Sequence, residues 1–121
     1  MTDKPLTLDE VNRDLAKAHE AVNLAGPRVA RALQAKHEAK RRLELARAKK
    51  LEDARLDSEK YPSDKTRWAF AIVQTEQDSI ALSAAELEYA VAKDELQRLN
   101  DWREDLYQQG YNLRTQMRAG L

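Results

Sequence analysis

The sequence predicts an all-α protein: a long antiparallel helical hairpin with a break at Gly26-Pro27, assembling into a homo-oligomeric helical bundle. Alanine and leucine supply 35 of the 51 hydrophobic residues, whereas valine and isoleucine together supply seven, so residues that favour helices dominate. Only three glycines and three prolines interrupt the 121 residues, which leaves room for long helices between turns. This length allows one domain, which we expect to span residues 1–121.

The first helix is predicted from about residue 8 to residue 25. Thr7 and Glu10 have the spacing of a capping box, and Leu6 and Val11 have that of a hydrophobic staple. Apolar residues then recur at alternating steps of three and four, which is typical of the narrow contact stripe of a coiled coil. These residues are Leu8, Val11, Leu15, Ala18, Val22 and Ala25.

Two further helices are predicted after the break. Gly26-Pro27 predicts the break because proline lacks a backbone N–H and disfavours helical geometry in the residue before it. A basic helix is expected over about residues 28–57, and a loop over residues 58–64, in which Ser63 or Asp64 is the N-cap of the next helix. No proline occurs in the rest of the chain, so we expect one long helix over about residues 65–118.

The predicted long helix carries two apolar stripes, so that one stripe can cover the first helix and the other can contact another subunit. The first consists of Ile80, Ala84, Leu87, Val91, Leu99, Trp102, Leu106, Leu113 and Met117. The second consists of Leu82, Tyr89, Leu96 and Tyr107. Since the two stripes exceed what one hairpin contact covers, we expect a homo-oligomer.

Charge is balanced overall but separated along the chain. There are 21 basic and 21 acidic residues, yet residues 28–50 carry a net charge of +7 and residues 76–105 a net charge of −6. Two interpretations remain open: the basic segment binds a polyanion, or it neutralises the acidic segment of the same or a neighbouring chain. No aromatic residue occurs before residue 61, so base stacking beside the basic segment is open only to the aromatic residues around the hairpin loop, Tyr61, Trp68 or Phe70.

Enzyme signatures are missing from the sequence. There is no cysteine, no glycine-rich phosphate loop and no nucleophile elbow, and neither His19 nor His37 has the neighbours of a metal site. We therefore expect a protein that is not an enzyme and that needs neither a cofactor nor a metal. The first residues lack the layout of a signal peptide, and no run of 18 apolar residues occurs, so we expect a cytoplasmic protein without a membrane partner.

The order of several short motifs resembles the UvsY-type recombination mediators of bacteriophages. The motifs are an alanine-rich basic helix, Ala54-Arg55-Leu56-Asp57, Lys65-Thr66-Arg67, a long acidic helix, Gly110-Tyr111-Asn112-Leu113-Arg114 and Met117-Arg118. Together they extend over roughly residues 38–119. The resemblance implies a small helical oligomer in the host cytoplasm that binds single-stranded DNA and helps to load a RecA-like recombinase onto strands coated by single-strand-binding protein.

The resemblance also implies functional residues. A Lys-x-Arg pair before Leu-Asp is associated with DNA binding in that family; Arg55 matches its arginine, whereas Asp53 stands where the lysine would be. The basic run just upstream can take the place of that lysine. The candidate DNA-binding residues are therefore Lys36, Lys40, Arg41, Arg42, Arg47, Lys49, Lys50 and Arg55. The segment that resembles the family's oligomerisation region supplies Leu99, Trp102, Leu106, Leu113 and Met117.

An alternative function belongs to a different class. The chain is then a non-enzymatic phage adaptor or inhibitor that docks a protein partner through its helices and binds no DNA. In that case the acidic helix is the working surface.

Overall fold

The computed structural model describes residues 7–120, and all regular structure in this range is α-helical. Helix α1 spans Leu8–Leu56, α2 spans Asp64–Gln74 and α3 spans Glu76–Ala119. The helices account for 91% of these residues, which include no strand. The predicted all-α class is confirmed. Within the same range, no helix combines the length and the apolar character needed to cross a membrane.

Side-chain caps define the starts of α1 and α2 as the sequence predicts. The backbone N–H of Glu10 donates to Thr7 Oγ1 at 3.2 Å, and the backbone N–H of Thr7 donates to Glu10 Oε2 at 3.4 Å. Ser63 caps α2, and its side chain accepts a hydrogen bond from the backbone N–H of Thr66 at 3.2 Å. The loop occupies residues 57–63, one residue earlier than predicted. Leu6, the expected staple residue, lies outside the described residues.

Gly26 and Pro27 do not interrupt α1, so the predicted break is wrong. The helices expected over residues 8–25 and 28–57 form one helix of 49 residues with Pro27 inside it. An internal proline costs about 3 kcal/mol, because one backbone hydrogen bond is lost and its ring crowds the preceding turn. Packing on both sides stabilises the helix across this site: Ala25 is buried, and Val22 and Val29 are half-buried on either side of it.

Thr75 divides the long helix that the sequence predicts over residues 65–118. Its backbone, at φ −111° and ψ 22°, is not helical, so α2 ends before it and α3 begins after it. The side chain is 1% exposed, and its hydroxyl donates to the carbonyl of Ala71 at 2.7 Å. The same oxygen accepts a hydrogen bond from Arg47 Nε at 3.4 Å. Because a threonine hydroxyl competes with the backbone for such bonds, it favours the interruption here.

The variant Thr75→Val is expected to lower the free energy of unfolding by about 1–2 kcal/mol, because it leaves Arg47 Nε without this acceptor in a part-buried position. Urea denaturation measures the change. Thr115→Val is the matched control, since the hydroxyl of Thr115 makes the same type of bond, to the carbonyl of Tyr111, on an exposed surface. Equal effects of the two substitutions would contradict the structural role assigned to Thr75.

Contacts divide the chain into two compact units. The terminal unit comprises the described residues of Met1–Val29 and Ala92–Leu121. Its core consists of Val11, Ala18, Ala25, Leu106 and Gly110. Gly110 lies inside α3, and a Cβ built on it would lie 3.4 Å from Cγ1 of Val11. A side-chain carbon at residue 110 would thus be in van der Waals contact with Val11, so α1 and α3 pack closely here.

The central unit comprises Ala30–Val91. Its buried residues are Leu43, Ala54, Ala71 and Thr75. The rings of Tyr61 and Phe70 lie 4.6 Å apart between centroids, and Nε of Arg67 donates to the carbonyl of Tyr61 at 3.0 Å. These contacts fix the loop against α2.

Candidate nucleic-acid interface

The eight candidate DNA-binding residues all lie on α1, but they differ in exposure. Five are exposed: Lys40, Arg41, Arg42, Lys49 and Arg55. The other three are half-buried: Lys36, Arg47 and Lys50. A phosphate can reach the first group without displacing protein atoms, so the structure separates the candidates into two classes.

The half-buried cations face the interior of the central unit. Lys36 Nζ lies 5.0 Å from the centroid of the Tyr89 ring, a cation–π contact, and Arg47 donates to Thr75. Lys36 and Lys50 stand seven residues before and after the buried Leu43, and so share its side of the helix. In the sequence, the seven-residue spacing from Leu43 is what distinguishes these two lysines from the exposed cations of α1.

Most of the exposed cations make no ion pair within the described part of the chain. Arg42 pairs with Glu38 one turn away, at 2.7 Å between Nη2 and Oε1. Lys40, Arg41, Lys49 and Arg55 have no carboxylate within 4.0 Å among residues 7–120.

The ion pairs give little support to the interpretation that the basic segment neutralises the acidic segment of the same chain. An ion pair in the terminal unit joins residues 28–50 to residues 76–105. In it, Arg28 Nη1 lies 3.3 Å from Glu95 Oε2. Their side chains are 59% and 47% exposed, and such surface pairs contribute about 0–1 kcal/mol. In residues 7–120, no basic residue from 36 to 55 pairs with an acid of the 76–105 segment.

Four of the five exposed cations form two rows along α1. At about 100° per residue, Arg41 and Arg55 lie within about 40° of each other around the helix, about 21 Å apart along its axis. Arg42 and Lys49 lie within about 20° of each other and about 10 Å apart. We call these pairs the Arg41 row and the Arg42 row. Adjacent residues point about 100° apart, so the rows face different directions.

The candidate oligomerisation residues also separate by burial. Leu106 is 3% exposed and belongs to the core of the terminal unit, and Leu99 and Leu113 are half-buried. Trp102 and Met117 are 38% and 60% exposed, so both are accessible at the surface.

The two predicted stripes of α3 have different roles in the central unit. Leu82 and Tyr89 of the second stripe are half-buried. Ile80, Leu87 and Val91 of the first stripe are each more than half exposed. With Ala84, they form an outward apolar stripe that we call the Ile80 stripe. Residue spacing predicted both stripes but not which of them faces inward.

The histidines provide no metal site in the described residues. His19 Nε2 lies 2.9 Å from the hydroxyl of Tyr107, and the two rings meet edge to face with their centroids 5.7 Å apart. His37 is exposed. No cluster of three or more histidine, aspartate or glutamate side chains suited to a metal ion occurs in residues 7–120.

Among known proteins, no protein-family model, no curated protein and no solved structure matches the chain.

Proposed function

We propose that this chain is a recombination mediator-like accessory protein. It binds single-stranded DNA non-specifically and helps to load a RecA-like recombinase onto strands coated by single-strand-binding protein, in the host cytoplasm. The observation that carries the proposal is the exposure of Lys40, Arg41, Lys49 and Arg55 on α1 without a carboxylate partner in residues 7–120. The role in recombinase loading rests on the resemblance to the UvsY-type family.

Exposed cations along a helix suit a phosphate backbone better than a base sequence. Each Lys or Arg that neutralises a phosphate releases counterions, and this gain is independent of sequence. Lys40, Arg41 and Arg42 are consecutive and point to three sides of α1, so they cannot all enter one groove of a duplex. A flexible single strand can bend to meet such a distribution.

We propose further that α1 and α3 form the predicted antiparallel hairpin and that the chain self-associates. In the terminal unit, Val11 lies next to Gly110 and Arg28 pairs with Glu95, so the residue numbers run in opposite directions on the two helices. In the central unit, Lys36 contacts Tyr89 and Arg47 contacts Thr75, so a higher residue number on α1 again meets a lower one on the facing segment. The exposed Trp102 and Met117 support self-association through the C-terminal segment.

The adaptor alternative is favoured by a different observation. The Ile80 stripe is an apolar surface of one helix face, and apolar stripes at this spacing are typical of helix docking. Glu86 and Glu88 lie beside it and are exposed. A protein partner with an apolar face bordered by basic residues would fit this surface.

Fluorescence anisotropy of a labelled oligothymidine tests the proposed function. We expect saturable binding at low salt that weakens as salt rises, with a slope of about −0.7 for each phosphate neutralised. An oligoadenine of the same length should bind with similar affinity, since the contacts are to the backbone. If the protein leaves the anisotropy unchanged at low salt, DNA binding is excluded and the adaptor alternative is favoured.

A further inference from the structure

A cleft in the central unit lies between the end of α1 and the start of α2. It has a volume of about 240 Å³ and is lined by Leu51, Arg55, Asp64, Arg67 and Trp68. It therefore brings an aromatic ring, two guanidinium groups and a carboxylate together at one surface position.

Trp68 is the aromatic residue near the loop that is accessible to a ligand. Its side chain is 48% exposed at the cleft. Tyr61 and Phe70 are both half-buried, and their rings pack against each other at 4.6 Å. Of the three aromatic residues that the sequence left as stacking candidates, the structure therefore favours Trp68.

The two arginines of the cleft have different surroundings. Arg67 is held in place, because its Nε donates to the carbonyl of Tyr61 at 3.0 Å and its Nη1 to Asp64 Oδ1 at 3.4 Å. Arg55 is exposed and has no carboxylate within 4.0 Å in residues 7–120. Arg55 is therefore the cation left to bind an anion at this position.

We infer that this cleft is a nucleotide subsite, in which one base of a single strand stacks on the Trp68 indole while an adjacent phosphate binds Arg55. Stacking accepts any base, because every base has a π-face. The carboxylate of Asp64 is 3.4 Å from Nη1 of Arg67, so Arg67 is already paired and Arg55 is the cation left for the phosphate. Arg41 lies on the same side of α1 as Arg55, about 21 Å along the axis with the exposed Glu52 between them, so it is the next cation that the strand can reach on this face. The inference rests on the proposed function, because the subsite would hold one base of the single strand that α1 is proposed to bind.

The first experiment uses Trp68 as its own reporter. In the variant Trp102→Phe, Trp68 is the only tryptophan, and its fluorescence is followed as oligothymidine or an abasic oligomer of equal length is added. We expect oligothymidine to quench the fluorescence. It should also bind at least about fivefold more tightly than the abasic oligomer, because a base stacked on the indole adds affinity that an abasic strand cannot gain. The abasic oligomer should bind without quenching.

Two variants at residue 68 then separate stacking from local folding. Trp68→Ala should remove the preference for oligothymidine over the abasic oligomer, whereas Trp68→Phe should keep most of it. Ile72→Ala is the control, since Ile72 is 43% exposed on the same helix and does not line the cleft. Circular dichroism shows whether each variant folds. If Trp68→Ala does not fold, the fluorescence experiment in the Trp102→Phe variant decides whether a base stacks on Trp68.

Two outcomes would overturn the subsite and can be told apart. Equal affinity for the two oligomers with no quenching would exclude stacking on Trp68 while leaving the proposed function in place. Failure of both oligomers to bind would exclude the subsite together with the function on which it rests.

Discussion

Replacing the four exposed cations Lys40, Arg41, Arg42 and Lys49 with alanine is expected to weaken oligothymidine binding by roughly 100-fold to 1,000-fold at about 0.1 M salt. Each phosphate contact contributes about −0.7 to the slope of log affinity against log salt, so losing three or four contacts also flattens the slope by about 2 to 3. Fluorescence anisotropy across a salt series measures both quantities.

A charge-matched control removes four exposed cations elsewhere: Arg13, Lys17, Arg114 and Arg118. This variant should lose much less affinity, since only the overall charge has changed. We expect the melting temperature of the first variant to stay close to that of the wild type, because its strongest lost pair, Arg42 with Glu38, is an exposed pair within one helix. Unchanged affinity with a lowered melting temperature would favour the adaptor over the mediator.

The variant Leu106→Ala is expected to lower the free energy of unfolding by about 2–5 kcal/mol. Leu106 is 3% exposed in the core of the terminal unit, and truncating a buried leucine leaves a cavity as well as losing apolar burial. Leu24→Ala is the control, because Leu24 is 65% exposed on α1 and its truncation should change stability by less than about 0.5 kcal/mol. Urea denaturation at a fixed protein concentration compares the two variants.

Trp102→Ala completes this series by separating assembly from folding. Trp102 is 38% exposed, so its loss should reduce the mass of the assembly while helicity is retained. Sedimentation equilibrium measures the mass against the 13.9 kDa of one subunit. A wild-type mass near 13.9 kDa at all concentrations would contradict self-association, and equal masses for the Trp102→Ala and Leu24→Ala assemblies would place the interface elsewhere.

Local signals in the sequence predicted the helical class and the caps. The Thr7–Glu10 capping box and the Ser63 cap depend on residues within one turn of each other, so nearby sequence determines them. Tertiary contacts explain the failures. Packing around Ala25 stabilises α1 across Pro27, and the interruption at Thr75 includes a bond to Arg47, which is 28 residues away.

The candidate interface was predictable only in part. Composition identified the basic segment of α1, but not which of its cations point outward. The inward position of Lys36 depends on Tyr89, which is distant in sequence, and spacing from Leu43 becomes informative only when Leu43 is known to be buried. Trp68 could not be distinguished from Tyr61 as a stacking residue, because the difference comes from the packing of Tyr61 on Phe70.

Under the proposed function, the separation of the Arg41 row from the Arg42 row would make the helix bivalent toward single-stranded DNA. A strand that follows Arg41 toward Arg55 leaves Arg42 and Lys49, about 100° around the helix, in contact with solvent. A second strand, or a later stretch of the same strand, can occupy that row without displacing the first. Linked sites of this kind raise the effective concentration of the second segment. A subunit that binds DNA as proposed would therefore hold two stretches of a strand side by side, which is the geometry needed to bridge or compact DNA.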